Sequence, residues 1–598
     1  MKHLRSTPSA ETTELRGPFP TWAALSLLAL QVLSGCGGDA APALEEATAA
    51  EEAPIVSEVP RPKPRVKLLS EVELLSESVT NTLTALGEKL FVRDFDGIEG
   101  FLTEDFVGHD PFTPQGEGSP LPMSALALHH DVDSLNVLAK GPWLAALEAR
   151  IGTWRRLEQS TWKVMGAEFQ KSTPLSWGRI EVGAHLVGVT QAGGREVIEL
   201  AGVARVRRAQ NGWRLAQLWI GELHGLRSSG VGFQDVSRAA GVHHEGIRFG
   251  REGNDSDGWN GAATGDFNGD GRLDLAMPGS LRNFLYIAQP KGGFKEVAQA
   301  AGFAGAGGGT GVVAFDYDND GNTDLAVAHI GWQEWREGEK GSPTRIFRGD
   351  GKGNFKDATS MLGLAERRDV AFSVTVLDYD GDGWLDLYLC CYGRMESVRN
   401  DSWVESRNGS PDVLLRNAGG TGFVDVTEAA GLSDKRWSYT AVAVDYDSDG
   451  DPDLYVGNNF GSNRFWENQG DGTFKDVATS LGVGARGNTM GVTWGDVNGD
   501  GRLDLFLSNP SSTTGKRILA RFQDHDRPRG FDDLLKLASG NRLFLAEADG
   551  GFKESPKALG ANGAGWAWGT CLADLDEDGS LDLVCANGFV TGDLPQDT

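Results

Sequence analysis

Two hydrophobic patterns divide the chain. From Leu68 to Phe91, and again around Trp143 to Ile151, apolar residues recur at helical spacing. A short acidic segment, Phe101 to Asp110, separates them. The stretches Ile180 to Thr190, Glu196 to Arg207 and Trp213 to Leu218 then alternate as strands do, and Gln210-Asn211-Gly212 supplies a hairpin turn between the last two. Past residue 228 the pattern changes to short β-branched and aromatic runs between Gly- and Asp-rich turns. In Asp453-Leu454-Tyr455-Val456 both faces of the run are apolar, as expected of a strand in a sheet covered on both sides. The pattern predicts an α+β unit over 68–227 and a second, all-β unit over 228–598.

The turns of the second unit repeat a phrase, D-x-[DN]-x-D-G-x-x-D, six times. The acidic or amide positions are Asp266, Asn268, Asp270 and Asp274; Asp316, Asp318, Asp320 and Asp324; Asp378, Asp380, Asp382 and Asp386; Asp445, Asp447, Asp449 and Asp453; Asp496, Asn498, Asp500 and Asp504; Asp574, Asp576, Asp578 and Asp582. A hard cation such as Ca²⁺ takes six to eight oxygens at roughly 2.3–2.6 Å, and alternate residues of a tight loop can converge on one ion. Positions one, three, five and nine would supply side-chain oxygen. Position seven (Arg272, Asn322, Trp384, Asp451, Arg502, Ser580) would supply its carbonyl, and glycine at position six permits the turn. An EF-hand would need Glu at position twelve and flanking helices. Here position twelve is Met277, Val327, Leu389, Val456, Leu507 or Cys585, and strand patterns follow. The expectation is about six structural Ca²⁺ in β-hairpin loops.

A second signature runs in phase with the first, with Phe and Gly at Phe233 and Gly241, Phe294 and Gly302, Phe355 and Gly363, Phe423 and Gly431, Phe474 and Gly482, Phe552 and Gly560. Each unit then reads as four strands, the cation loop joining the first to the second. Radially stacked four-stranded sheets make a β-propeller. Six blades are countable, with Phe233 to Ser237 as outer strand of the last; seven blades or a partly open ring are the alternatives.

These units resemble FG-GAP/VCBS repeats, and the phrase from Phe423 to Leu432 resembles bacterial relatives of the cartilage acidic protein (ASPIC/UnbV) group. The resemblance covers residues 230–598 and implies calcium at the six loops, without that group's C-terminal tail. The 68–227 unit is similar in architecture to the nuclear-transport-factor-type cone of SnoaL-like proteins. There Asp94, Asp96, His109 and Asp110 are either turn residues or an acid–base set in a cone pocket.

Residues 1–36 resemble a bacterial lipoprotein signal. A basic start and the apolar run Trp22 to Leu33, too short to span a membrane, lead into Leu33-Ser34-Gly35-Cys36. This implies lipidation of Cys36 and an outer-membrane lipoprotein, periplasmic or at the cell surface. Residues 37–67, rich in Ala, Glu and Pro, read as a tether.

A formal charge of −28 argues against a nucleic-acid partner. Five cysteines are too few for a disulfide framework. A symmetric hairpin would nevertheless set Cys571 opposite Cys585, within disulfide reach. The adjacent histidines of His129-His130-Asp131 and His243-His244-Glu245 make poor metal sites, because neighbouring side chains diverge.

Length variation is one-sided. From signature Phe to the next loop Asp the intervals are 33, 22, 23, 22, 22 and 22 residues; from loop Asp to the next Phe they are 28, 39, 45, 29 and 56. The insertions carry Trp332, Trp335, Trp403, Phe522, Phe531 and Arg527, residue types enriched where partners bind. The leading expectation is a binding or adhesion protein for a glycan or protein. A polysaccharide-active enzyme and a small-molecule site in the cone are the alternatives.

Overall fold

The computed structural model describes residues 69–113, 119–121, 125–129, 131–170, 176–228, 234–243, 261–279, 282–305, 309–330, 342–393, 401–402, 404–511, 531–537, 539–555, 561 and 565–587. The first unit comprises α1 (Leu69–Phe91), α2 (Phe95–Glu99), β1 (Leu102–His109), β2 (Ser119–Leu121), β3 (Ala125–His129), β4 (Val137–Ala139), α3 (Lys140–Gly152), β5 (Trp154–Phe169), β6 (Trp177–Thr190), β7 (Arg195–Ala209) and β8 (Gly212–Ser228). Its sheet runs β2-β3-β8-β7-β6-β5, with β1 parallel to β8 and β4 beside β1. The apolar stripe of α1 (Val79, Leu83, Leu86, Leu90) and that of α3 (Trp143, Leu147, Ile151) share one core with Trp162, Ile180, Val182 and Leu200 of the sheet.

Two features of this unit depart from the sequence pattern. The acidic segment is strand β1, whose Leu102 and Phe106 are buried while Glu104 and Asp105 face outward. Strand β5, 16 residues long, was not anticipated. Its register against β6 shifts three times, at Trp154/Arg156, Leu157/Gln159 and Val164/Gly166. Each bulge adds an unpaired residue and reverses the alternation, so a period-two pattern is lost while the strand bends.

The repeat region begins with α4 (Ser237–Ala240) and continues as β9 (Ala263–Gly265), β10 (Asp274–Met277), β11 (Phe284–Ala288), β12 (Phe294–Glu296), α5 (Ala298–Ala301), β13 (Gly309–Phe315), β14 (Asp324–His329), β15 (Arg345–Gly349), β16 (Phe355–Asp357), β17 (Ala371–Leu377), β18 (Asp386–Cys391), β19 (Val413–Asn417) and β20 (Phe423–Asp425). It ends with β21 (Trp437–Val444), β22 (Asp453–Asn459), β23 (Gly461–Ser462), β24 (Arg464–Asn468), β25 (Phe474–Asp476), β26 (Arg486–Gly487), β27 (Gly491–Gly495), β28 (Asp504–Ser508), α6 (Phe531–Leu537), β29 (Arg542–Ala546), β30 (Phe552–Glu554), β31 (Ala567–Ala573) and β32 (Asp582–Asn587).

Among the described residues these strands form five four-stranded antiparallel sheets, each in sequence order, and a final two-stranded hairpin, β31-β32; β23 and β26 form a small ribbon. The first strands β9, β13, β17, β21, β27 and β31 lie next to one another in chain order. Every second strand starts on a position-nine aspartate, and every long insertion falls between second and third strands: 330–344, 392–412 and 509–541.

Phe233 lies outside the described residues, and 234–236 form no strand. Gly241 nevertheless takes the place that its counterparts take. A Cβ there would lie 2.6 Å from the Phe294 carbonyl oxygen, as Gly302 would meet Phe355 at 2.4 Å and Gly482 would meet Phe552 at 3.1 Å. The segment therefore seats against the outer strand of the first sheet as each unit seats against the next. Gly241 also has φ +78°, a left-handed conformation that costs a side-chain-bearing residue about 1–2 kcal/mol. Gly241→Ala should therefore lower the urea midpoint more than Gly292→Ala, where φ is +85° but nothing lies within 4 Å. Equal losses would show that the seat contributes nothing.

Candidate metal centres

Each acidic loop begins directly after a first strand and is wound by its own carboxylates. In every loop the position-one carboxylate accepts from the amides of positions five and six: Asp445 from Asp449 and Gly450, both at 3.1 Å, and Asp266 from Asp270 and Gly271 at 3.0 and 2.7 Å. The position-five carboxylate accepts from the position-seven amide, as Asp449 does from Asp451 at 2.9 Å and Asp320 from Asn322 at 2.9 Å. The glycine at position six has positive φ throughout, from +82° at Gly501 to +97° at Gly450.

Position four is left-handed as well, which the sequence reading missed. Glycine fills it at Gly269, Gly381 and Gly499, Asn319 (φ +52°) tolerates it, and Ser448 (+62°) and Glu577 (+58°) adopt the same conformation against their preference. The recurrence of glycine there in three loops was the available signal.

Position nine does something different from coordination alone. Asp274, Asp324, Asp386 and Asp504 are 0% exposed and Asp453 is 2% exposed. One oxygen of each accepts from the position-two amide of its loop: Phe267 at 3.0 Å, Tyr317 at 3.0 Å, Tyr379 at 3.1 Å, Val497 at 3.1 Å and Tyr446 at 3.3 Å. The other accepts from the third strand: Ala288, Gly349 and Asn417 at 2.7 Å, Asn468 and Ala546 at 2.8 Å. The ninth aspartate thus latches loop and sheet together. Burial outweighs these hydrogen bonds and pushes Asp324, Asp386 and Asp453 up to about 7.

Carboxylate oxygens gather within 4.8 Å of one another at Asp316/Asp318/Asp320, Asp378/Asp380/Asp386, Asp445/Asp447/Asp453 and Asp574/Asp576/Asp582. In the first and fifth loops Asn268 and Asn498 replace one carboxylate, but the amide pattern is the same. The donor set is all oxygen, as a hard divalent cation requires. Oδ1 of Asp318 is buried with no hydrogen-bond partner, and a buried carboxylate oxygen left free by the loop amides fits the donor set of a hard cation.

The remaining candidates separate clearly. Cys571 and Cys585 are both free. Cys571 pairs with Val584 and Cys585 with Thr570, one residue off the symmetric register, so the two thiols leave opposite faces of the hairpin and the expected disulfide is not formed. Asp94 caps α2, accepting from Gly97 at 2.9 Å, and Asp96 is exposed. Asp110 is spent on the amides of Phe112 and Thr113, and His109 accepts from the Ile220 amide at 3.2 Å. These are turn and packing roles. Asp131 caps a short turn through Asp133. Cys36, Trp332, Trp335, Trp403, Phe522 and Arg527 lie outside the described residues. Phe531 is buried at the start of α6.

At the opposite end of the sheets from the acidic loops two features stand out. Rings from successive first strands meet there: Phe372 and Tyr439 have centroids 4.0 Å apart, and Tyr392, Trp437, Phe460 and Met490 complete the cluster. Beside it an ionic chain runs Asp476, Arg464, Asp434, Arg436, Glu405, Arg486, Asp533, with contacts such as Arg464–Asp434 at 2.9 Å and Arg436–Glu405 at 2.8 Å. It ties the 392–412 and 509–541 insertions to the fourth sheet.

The raised carboxyls set a pH dependence. A folded-state value near 7 lies above the ordinary value of about 4, so stability is full below about 4 and falls as pH rises through 7. In chelator the repeat array should unfold at lower urea at pH 8 than at pH 5. A divalent cation bound by the ionised loops should reverse that order, with proton release on binding. A chelated midpoint that rises with pH over this interval would contradict the latch assignment.

Comparison with known proteins matches the description FG-GAP-like repeat at residues 266–327, 336–389, 445–507 and 530–585, which include all six loops. The chain is 27% identical over 261 residues to cartilage acidic protein 1 of Homo sapiens; the match covers 36% of this chain and 37% of that protein, so the chain spans little over a third of its relative's length. Among solved structures it is similar to an Agrocybe aegerita lectin that recognises non-reducing terminal N-acetylglucosamine, at 17% identity and TM-score 0.31 over 55% of this chain and 74% of that one. It is also similar to the hexachlorocyclohexane dehydrochlorinase LinA-type3 of Novosphingobium barchaimii, at 8% identity and TM-score 0.19 over 28% and 98%. The β-rich region from Asp266 to Cys585 carries FG-GAP-like repeats, and the chain is homologous over about a third of its length, at modest identity, to cartilage acidic protein 1.

Proposed function

We propose that the chain is a calcium-stabilised β-propeller, held at an extracytoplasmic membrane surface by lipid on Cys36, that binds a glycan or protein partner on the face bearing its insertions. The observation that carries this reading is the division between the two ends of each sheet. At one end six loops follow one hydrogen-bonding plan, with carboxylates converging in four of them; at the other lie the long insertions. Calcium would be held by side chains at positions one, three, five and nine and the carbonyl at seven, and would supply the charge that lets each loop close. Loops on a rigid scaffold are where recognition residues collect.

The membrane anchor rests on the Leu33-Ser34-Gly35-Cys36 sequence.

Three outcomes follow. Excess chelator should lower the melting temperature markedly, and calcium should restore it. The mature N-terminal peptide should begin at Cys36 with acyl mass, and Cys36→Ser should release the protein from membranes. In glycan-array and pull-down screens of the calcium-loaded protein, replacing Trp332, Trp335 and Trp403 by Ala should reduce binding to whatever partner is found by at least about 100-fold, the loss expected of two or more hot-spot residues, without moving the calcium-dependent melt. Retained affinity in that triple variant would move the site off the insertions.

A further inference from the structure

We propose that the six loops take up calcium in order, the fourth first and the first and fifth last, because the chain does not build the same counter-charge into all of them. This rests on the calcium reading above and concerns which residues tune it.

The tuning position is the third-strand residue just before the amide that the ninth aspartate accepts. In sheets one to five it is Ile287, Arg348, Arg416, Glu467 and Leu545. Arg348 donates from Nη2 to Asp318 at 2.7 Å and Asp320 at 2.9 Å, placing a positive charge against the second loop. Arg416 stands 4.0 Å from Asp380 of the third. In the fourth loop the same position is Glu467, whose Oε2 accepts from the hydroxyl of Tyr446 at 3.0 Å. With Asp445, Asp447, Asp449, Asp451 and Asp453, it gives that loop six carboxylates.

The first and fifth loops share a third solution. The strand position is apolar, position three is Asn268 or Asn498, and position seven is an arginine turned back onto position five. Arg272 donates to Asp270, and Arg502 to Asp500 at 2.5 Å. In both loops Nε also donates to the third strand, to Ala288 and Ala546 at 3.4 Å, so the guanidinium has the same seat twice. These loops offer three carboxylates and one fixed cation. Among the described residues no guanidinium reaches the fourth or the sixth loop.

Charge count is the main lever on calcium affinity in oxygen sites. A guanidinium a few ångströms from a divalent ion opposes its binding by about tenfold even at the dielectric of water, and by more where water is excluded. The fourth loop therefore stays loaded at calcium levels that empty the first and fifth, where Arg272 and Arg502 remain to neutralise the carboxylates.

The test is native mass spectrometry of the mature chain across calcium buffers. Wild type should pass through partly loaded species before reaching six ions. Replacing Arg272 and Arg502 together by Met should tighten the last two binding steps by about tenfold each. Glu467→Gln should weaken the first step by a similar factor. If the double variant does not fold, Glu467→Gln alone still decides. Six indistinguishable steps in wild type, or unchanged late steps in the arginine variant, would overturn the ordering. No bound calcium at saturation would instead overturn the calcium reading itself.

Discussion

The repeat region depends on a buried carboxylate that is never alone. At the ninth position of the first five loops an aspartate with almost no solvent exposure accepts one amide from the turn before it and one from the third strand behind it; Asp582 of the sixth is half-buried and accepts the turn amide alone. A buried charge must be paired or neutralised, or it costs several kcal/mol. Here a few amides share the task with whatever fills the loop. Loop closure and sheet registry are thus one electrostatic problem, solved five times with small variations. Neighbouring sheets enter the same solution, since Asn417 Nδ2 donates to the carbonyl of Tyr317, and Asn468 Nδ2 to that of Tyr379, both at 2.8 Å across the sheet boundary.

Much of this was legible in the chain because the chemistry repeats. Six phrases in phase identify the loop, its first and second strands and the side on which insertions fall, and every second strand does begin at the expected aspartate. What the phrase could not reveal is geometry set by single residues. Position four looks free to vary, yet its backbone is left-handed in all six loops, and only three use glycine. The Cys571/Cys585 pairing failed on a one-residue register shift, which reverses every side chain on a strand. Strand β5 escaped notice for the related reason that three bulges scramble its alternation.

The opposite end of the sheets obeys another rule. Its ionic chain alternates sign through seven residues contributed by two insertions, a link and the fourth and fifth units. Arg436 is 4% exposed and takes both Asp434 and Glu405, so removing either acid would leave a buried cation half paired. Glu405 and Asp533 are the insertion residues this chain holds to the fourth sheet and its link.

The seating of each unit on the next has a consequence for how the array fails. Phe474 and Phe552 each donate an amide to a carbonyl of the preceding unit, Ala430 and Leu481, and Gly353 reaches back to Phe267. Such one-neighbour coupling is the condition under which a linear array behaves as a row of coupled switches, with cooperativity set by the joints and not by the units. Amide exchange should then report a ladder of partial openings in place of one global event. The slowest amides would sit in the second, third and fourth sheets (β13 to β25), which have four-stranded neighbours on both sides, and the fastest in the β31-β32 hairpin, whose Leu583 and Val584 are exposed.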